Sequence, residues 1–308
     1  MHASFIAVRS ILVKNFVVNT FYKQRQDFER DAALHDKKFS MPKGVKEWKD
    51  LPYKNDGEKA HRMDVFRPKN REGETLPVII NVHGGGLLLG SKEFNRYYCA
   101  RLCELGYVVF SIEYRLVPDC QVYDQFTDVA DAMTHIFQSL SKFQGDSEQI
   151  YGVADSGGAY LLTYVTAMTG CRPLAKAAHT TPPSFRLRAL GLISGMFYTT
   201  RFDKIGLVLP RYLYGKHYKK TPFAPFTNAE NKDLVSSLPP CFLVSSHNDN
   251  LEHYTLHFEK ALSENHIPHK LVLFPQNKRL THAFSVFDPF MKESTEAIMA
   301  MHQFFETV

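Results

Sequence analysis

One serine in this chain is hemmed in by small residues, in Tyr151-Gly152-Val153-Ala154-Asp155-Ser156-Gly157-Gly158-Ala159, where a strand-like run passes straight into a helix-like one. Strand and helix approach closely at such a junction, so the positions two before and two after a nucleophile must be small. Ala154 and Gly158 fill them, and the pattern reads AxSxG in place of GxSxG. A serine among glycines can also be a simple turn. A second feature argues for chemistry: His83-Gly84-Gly85-Gly86 directly follows the apolar run Val78-Ile79-Ile80-Asn81-Val82. Acyl transfer passes through a tetrahedral oxyanion, which backbone N–H groups can hold where no side chain blocks the approach. The spacing fits neither GxGxxG nor a phosphate-binding loop with its lysine.

Both features need strands that end at the same edge of a sheet. From about residue 60 onward short β-branched runs alternate with longer helical stretches, the pattern of an α/β protein with a doubly wound, mostly parallel sheet covered on both faces. Strands are expected at 61–67, 77–83, 107–113, 149–154, 187–194, 240–246 and 269–274, and helices near 92–105, 126–143, 157–169, 251–265 and 290–305. Residues 1–45 and 196–238 break the alternation. The first segment is apolar around its whole helical circumference and is expected to be buried on more than one side. The second is rich in aromatic, basic and Pro residues. The two are expected to pack together as a cap within a single domain spanning 1–308.

Composition narrows the classes. The 308 residues are 44% hydrophobic, with 24 Phe and 15 Tyr, enough for one large core and too apolar for disorder. The net charge of +5 is spread along the chain, and pairs such as Lys219-Lys220 are too short to track phosphates, which disfavours nucleic acid. The five cysteines have no metal-ligand spacing and read as buried thiols. Arg9 and Lys14 interrupt the apolar N-terminus, so neither a signal peptide nor stable membrane insertion is expected, and a cytoplasmic location is.

The glycine run and the serine elbow, in this order, resemble the hormone-sensitive-lipase-like branch of the α/β-hydrolase carboxylesterases, from roughly residue 61 to the C-terminus. Glu113-Tyr114-Arg115-Leu116-Val117-Pro118 is similar to the family's YRLxP segment, Asp128 to an acidic residue on the following helix, and Leu238-Pro239-Pro240 is a further match. Arg115 and Asp128 read as a structural pair. Asn248-Asp249-Asn250-Leu251 resembles the family's DPL motif with Asn250 in place of Pro, which makes Asp249 the acid, ahead of Glu252, Asp203 and Asp233. Thr281-His282-Ala283-Phe284 is similar to the HxF segment and makes His282 the base, while His83 reads as a structural hydrogen-bonder. His247, His253 and His257 around Asp249 leave a metal site as a minor reading. Leu87 stands where the family usually has an aromatic residue.

The resemblance implies the α/β-hydrolase fold and a serine hydrolase: Ser156 attacks an ester, His282 takes its proton, Asp249 orients the imidazole, and the amides of Gly85, Gly86 and Gly157 hold the oxyanion. No cofactor or metal is required. The expected substrate is a small ester with a short acyl chain, an aryl group or an acylated sugar that the tyrosines of 196–238 could stack on. A homodimer is open. The competing readings are a non-catalytic ligand-binding protein on the same fold, and an amidase or peptidase using the same triad.

Overall fold

Runs of Val, Ile and Phe that do not alternate with polar residues must be covered on both faces. The computed structural model describes the backbone of residues 2–308 and the side chains of residues 16–308, and it buries these runs in that way. Strands β1 (Val45–Pro52), β2 (Arg62–Pro68), β3 (Leu76–Val82), β4 (Val108–Ile112), β5 (Gly145–Asp155), β6 (Leu190–Ile193), β7 (Cys241–Ser246) and β8 (His269–Phe274) form one sheet in the order β1-β2-β4-β3-β5-β6-β7-β8. β1 and β2 are antiparallel to each other, as are β2 and β4, and every other neighbouring pair is parallel.

The helices are α1 (His2–Asp36), α2 (Arg96–Glu104), α3 (Val122–Ser139), α4 (Ser156–Met168), α5 (Arg172–Ala177), α6 (Lys204–Val208), α7 (Pro210–Tyr214), α8 (Lys232–Val235), α9 (Glu252–Glu264), α10 (Phe284–Phe287) and α11 (Lys292–Glu306). The period-2 geometry of β3 divides them between two cores. Val78, Ile80 and Val82 join Phe126 of α3, Leu161 of α4 and Phe258 of α9. Ile79 points the other way, toward Tyr98 and Leu102 of α2 and Ile298 and Met301 of α11. β3 lies between β4 and β5, so the loops leaving β3 and β5 diverge at the sheet's carboxyl edge and open a crevice between them.

Each strand expected from the sequence is present within a few residues of its place. β1 lies in a stretch for which the sequence suggests no element. Its sequence, VKEWKDLP, is charged, and its outer position on the sheet leaves most of it part-exposed. A strand of that kind carries no apolar run to betray it.

The two segments outside the alternation behave differently from each other. The expectation that the N-terminal segment is buried on more than one side fails for residues 16–36, where Phe21 alone is buried. The side chains of residues 1–15, on which the rest of that expectation rests, lie outside the described residues. Phe21 packs edge-on against Tyr212 of α7, with ring centroids 5.1 Å apart, and Phe28 packs against Phe94 and Phe287. The 196–238 segment folds into short helices whose aromatics turn inward: Tyr214 and Phe223 are buried beside Tyr160, Tyr164 and Phe126. Among the described residues no helix is long and apolar enough to cross a membrane. Four cysteines are buried as expected, and Cys120 is part-exposed.

Candidate active site

β5 ends at Asp155 and α4 begins at the next residue, with no linker between them. Ser156 therefore takes φ +46°, the left-handed region that L-residues seldom occupy. The packing that enforces this tolerates nothing bulky: a Cβ on Gly158 would come within 2.2 Å of the Val82 carbonyl oxygen and 2.3 Å of that of His83. The requirement for a small residue two positions after the serine is thus a contact with the end of β3.

The glycine loop is folded against this elbow. A Cβ on Gly157 would lie 2.9 Å from the Gly86 nitrogen, and one on Gly85 would lie 1.8 Å from the Leu89 oxygen. The Gly85 and Gly86 amides donate to no protein acceptor among the described residues. Gly157, second in α4, belongs to the first turn, whose amides have no partner within the helix. Donor groups thus gather beside Ser156. Asp155, which the sequence reading passes over, ties loop and elbow together: its Oδ1 accepts from the Gly84 amide at 3.0 Å and from Asn95 Nδ2 at 2.8 Å. Full burial pushes the Asp155 carboxyl up from the ordinary range, against the opposing pull of Asn95 and His83. His83 has a structural place, with Nδ1 on the Gly84 carbonyl, Nε2 on Glu113 at 2.8 Å and its ring stacked on Tyr114.

Asp249 follows β7 by a short loop, and its carboxylate is saturated. It accepts from Ser245 Oγ at 2.9 Å, the Leu251 amide at 2.8 Å and His282 Nδ1 at 2.8 Å. Burial raises its pKa, but the hydrogen bond and charge of His282, with help from Ser194 and the Leu251 amide, outweigh burial and hold the carboxyl below its usual range. An ionised Asp249 fixes the proton on Nδ1. That leaves Nε2 as the acceptor facing Ser156 Oγ at 2.8 Å. His282 is held in place by its neighbour Ala283, which sits at φ +51° and donates its amide to Ser194 Oγ at 3.1 Å.

The rivals are occupied elsewhere. Glu252 pairs with His247 at 2.7 Å, Asp203 caps α6 through the Gly206 amide, and Asp233 lies in the first turn of α8. Asp128 is fully buried and bonded to Arg115, as the sequence suggests, with His61 on its other side. The acidic trio Asp50, Asp64 and Glu93 already holds the ammonium of Lys92, at 3.0, 2.9 and 3.1 Å.

A cavity of about 740 Å³ opens over Ser156, His282, Gly85 and Gly86. Its walls are chiefly apolar: Phe21 and Phe28 from α1, Leu88, Met196, Val208 and Phe287. No tyrosine of the 196–238 segment lines it, so the sequence-based idea that those tyrosines stack on a sugar or aryl ring has no geometric support. Leu87 is wholly buried beneath the loop, while Leu88 and Leu89 face the cavity. Phe21, Gln24 and Phe28 share one helix face at i, i+3 and i+7, a signal present in the sequence but masked by apolar residues on the other faces. Asn95, Ser194 and Ser245 carry no local signal at all.

Residues 63–189 match the BD-FAE family model. A probable isoprenylcysteine alpha-carbonyl methylesterase from Oryza sativa subsp. japonica is 27% identical over 198 residues, covering 61% of this chain and 46% of that protein. A phenmedipham hydrolase from Pseudarthrobacter oxydans is 33% identical over 135 residues, 41% of this chain and 27% of its own length. The chain spans less than half the length of these curated relatives. Among solved structures, esterase B from Lactobacillus rhamnosis superposes with TM-score 0.85 at 21% identity, covering 94% of this chain and 95% of that one. The hyperthermophilic esterase from Pyrobaculum calidifontis gives 0.70 at 23% identity over 94% and 96% of the two chains. Taken with the glycine loop after β3 and the elbow after β5, these likenesses give the chain the α/β-hydrolase fold.

Proposed function

We propose that this chain is a serine carboxylesterase acting through an acyl-enzyme, with Ser156 as nucleophile, His282 as general base and Asp249 as the group that orients it. The observation that carries the reading is the unbroken relay from Ser156 Oγ through His282 to Asp249, at 2.8 Å on each side of the imidazole. As Oγ attacks the ester carbonyl, its proton passes to Nε2, and the ionised Asp249 stabilises the imidazolium. The developing oxyanion lies against the amides of Gly85, Gly86 and Gly157. Nε2 then returns the proton to the departing alkoxide, and water repeats the sequence on the acyl-enzyme. Every proton in this cycle is carried by groups of the chain itself.

The walls of the cavity favour esters with an apolar, short to medium acyl or alkoxy group. That the relatives include a probable isoprenylcysteine alpha-carbonyl methylesterase and a phenmedipham hydrolase supports the hydrolytic reading. α1 and the 196–238 segment act together as a cap: each supplies part of the cavity wall, and they touch through Phe21 and Tyr212.

The test is a panel of p-nitrophenyl esters of rising acyl length, with acetylated and feruloylated sugars, run on the wild type and Ser156→Ala. Wild type should prefer apolar acyl groups that fit the cavity, and the variant should lose at least about a hundredfold in kcat/KM. A wild type inert on every ester that still binds a small ligand would instead make this a binding protein on a hydrolase fold.

A further inference from the structure

α1 lends the cavity Phe21, Gln24 and Phe28, and on the same stretch of helix Arg25 reaches down into the domain. Its Nε donates to the Leu88 carbonyl at 3.0 Å, one terminal nitrogen to the Val117 carbonyl at 3.0 Å, and the other to Asp119 at 2.9 Å. Asp119 is half exposed, so that ion pair is a weak fastening. The carbonyls are a different matter. Leu88 and Val117 are buried, and their oxygens accept from no other protein donor among the described residues.

Leu88 belongs to the glycine loop, and its carbonyl is one end of a peptide relay. The Leu88–Leu89 peptide accepts from Arg25 at its oxygen and donates its N–H to the Gly85 oxygen at 3.1 Å. That oxygen belongs to the Gly85–Gly86 peptide, whose N–H is the Gly86 amide beside Ser156. Hydrogen bonds in such a chain polarise one another, and a cation at the head strengthens the donor at the tail. The Leu88 N–H shares that Gly85 oxygen at 3.2 Å, and further ties of the loop, Gly84 to Asp155 and His83 and the Leu87 carbonyl to the Val117 amide and Gln125, come from the sheet domain.

We propose that Arg25 is a positioning residue: through two peptide units its guanidinium orients and polarises the Gly86 N–H, so that seating α1 over the cavity and readying the oxyanion donors are one event. This rests on the esterase reading above. Arg25 touches no substrate; it acts on the transition state through the loop. A lysine could reach one carbonyl but could not span both.

The experiment measures kcat and KM on p-nitrophenyl butyrate, together with inhibition by an alkyl trifluoromethyl ketone, whose serine adduct carries an oxyanion, for Arg25→Ala, Arg25→Lys and Asp119→Ala. Arg25→Ala should lower kcat about 10- to 30-fold, less than outright deletion of an oxyanion donor, with KM within about threefold and ketone affinity lost by the same factor as kcat/KM. Arg25→Lys should recover part of that loss, and Asp119→Ala should stay within about twofold of wild type because the carbonyl bonds survive. If Arg25→Ala does not fold, Arg25→Lys alone carries the comparison, with kcat down about threefold or more. A loss confined to KM, or equal losses in Asp119→Ala and Arg25→Ala, would make Arg25 a mere fastening and overturn the proposal. Failure of the esterase reading has its own signature, since wild type itself would then hydrolyse nothing and ignore the ketone.

Discussion

The carboxyl edge of the sheet and the cover above it follow different rules. At the edge, the groups near Ser156 are fixed by backbone packing and buried hydrogen bonds: the elbow is wedged against β3, the glycine loop is pinned by the Asp155 carboxylate, and Asp249 accepts from Ser245, the Leu251 amide and His282. In the cover, Phe16, Phe202 and Leu207 stand in solvent, and α6, α7 and α8 are short. The cover touches the edge through a few side chains, Arg25 and Phe28 among them. On the proposed reading, chemistry is lodged where the fold permits one arrangement, and substrate selection where it permits many.

Three substitutions sharpen this contrast, each a step further from the sheet. Asp249→Asn should have the largest effect, lowering kcat/KM by about 10² to 10⁴, because an amide need not fix the proton on Nδ1 of His282. The same variant tests stability. A carboxyl held below its ordinary range stabilises the fold above its unfolded pKa of about 3.9 and loses that contribution as pH falls through its lower folded value. Wild type should therefore melt above Asp249→Asn at pH 7, and the gap should shrink on acidification below about pH 4. A gap that stays constant with pH would locate the difference in packing.

Phe21→Ala opens the cavity wall while leaving the relay intact. It should raise KM for longer acyl esters by about three- to tenfold with kcat nearly unchanged, as expected where binding is lost equally in ground and transition states. A fall in kcat on short esters would mean that α1 is not separable from the chemistry at this position. The smallest effect is expected at Phe202, which is 94% exposed. Phe202→Ser should shift stability by no more than about 0.5 kcal/mol and leave kcat/KM within about twofold. A larger loss on emulsified esters than on dissolved ones would reveal that this ring meets an apolar surface.

Much of the sheet edge could be read before any coordinates. Uninterrupted apolar runs marked β3, β4 and β7, and the small residues around Ser156 marked the elbow, because these needs are local and leave local traces. His282 and Asp249 were reachable only through the resemblance, since nothing in their immediate neighbours tells a strand-end acid from Glu252. Asn95 and Ser194 stayed invisible because their importance comes from partners 60 and 89 residues away in sequence. The cover was misjudged in kind. An apolar helix circumference suggested burial on several sides, yet residues 16–36 bury one ring, and of the tyrosines meant for a ligand Tyr214 fills the core beside α3 and α4, Tyr198 packs on α9 and Tyr212 on Phe21. Aromatic richness alone does not say which way the rings face.

The buried Asp155 carboxylate makes the glycine run and the serine turn a single replaceable part. An engineer who moved residues 83–90 into another scaffold without positions 95 and 155 would transfer the sequence of an anion cradle but not its shape, for the Gly84 amide and the Asn95 side chain converge on that one oxygen. In a library of variants, viable changes in either strand end should therefore arrive in company rather than singly.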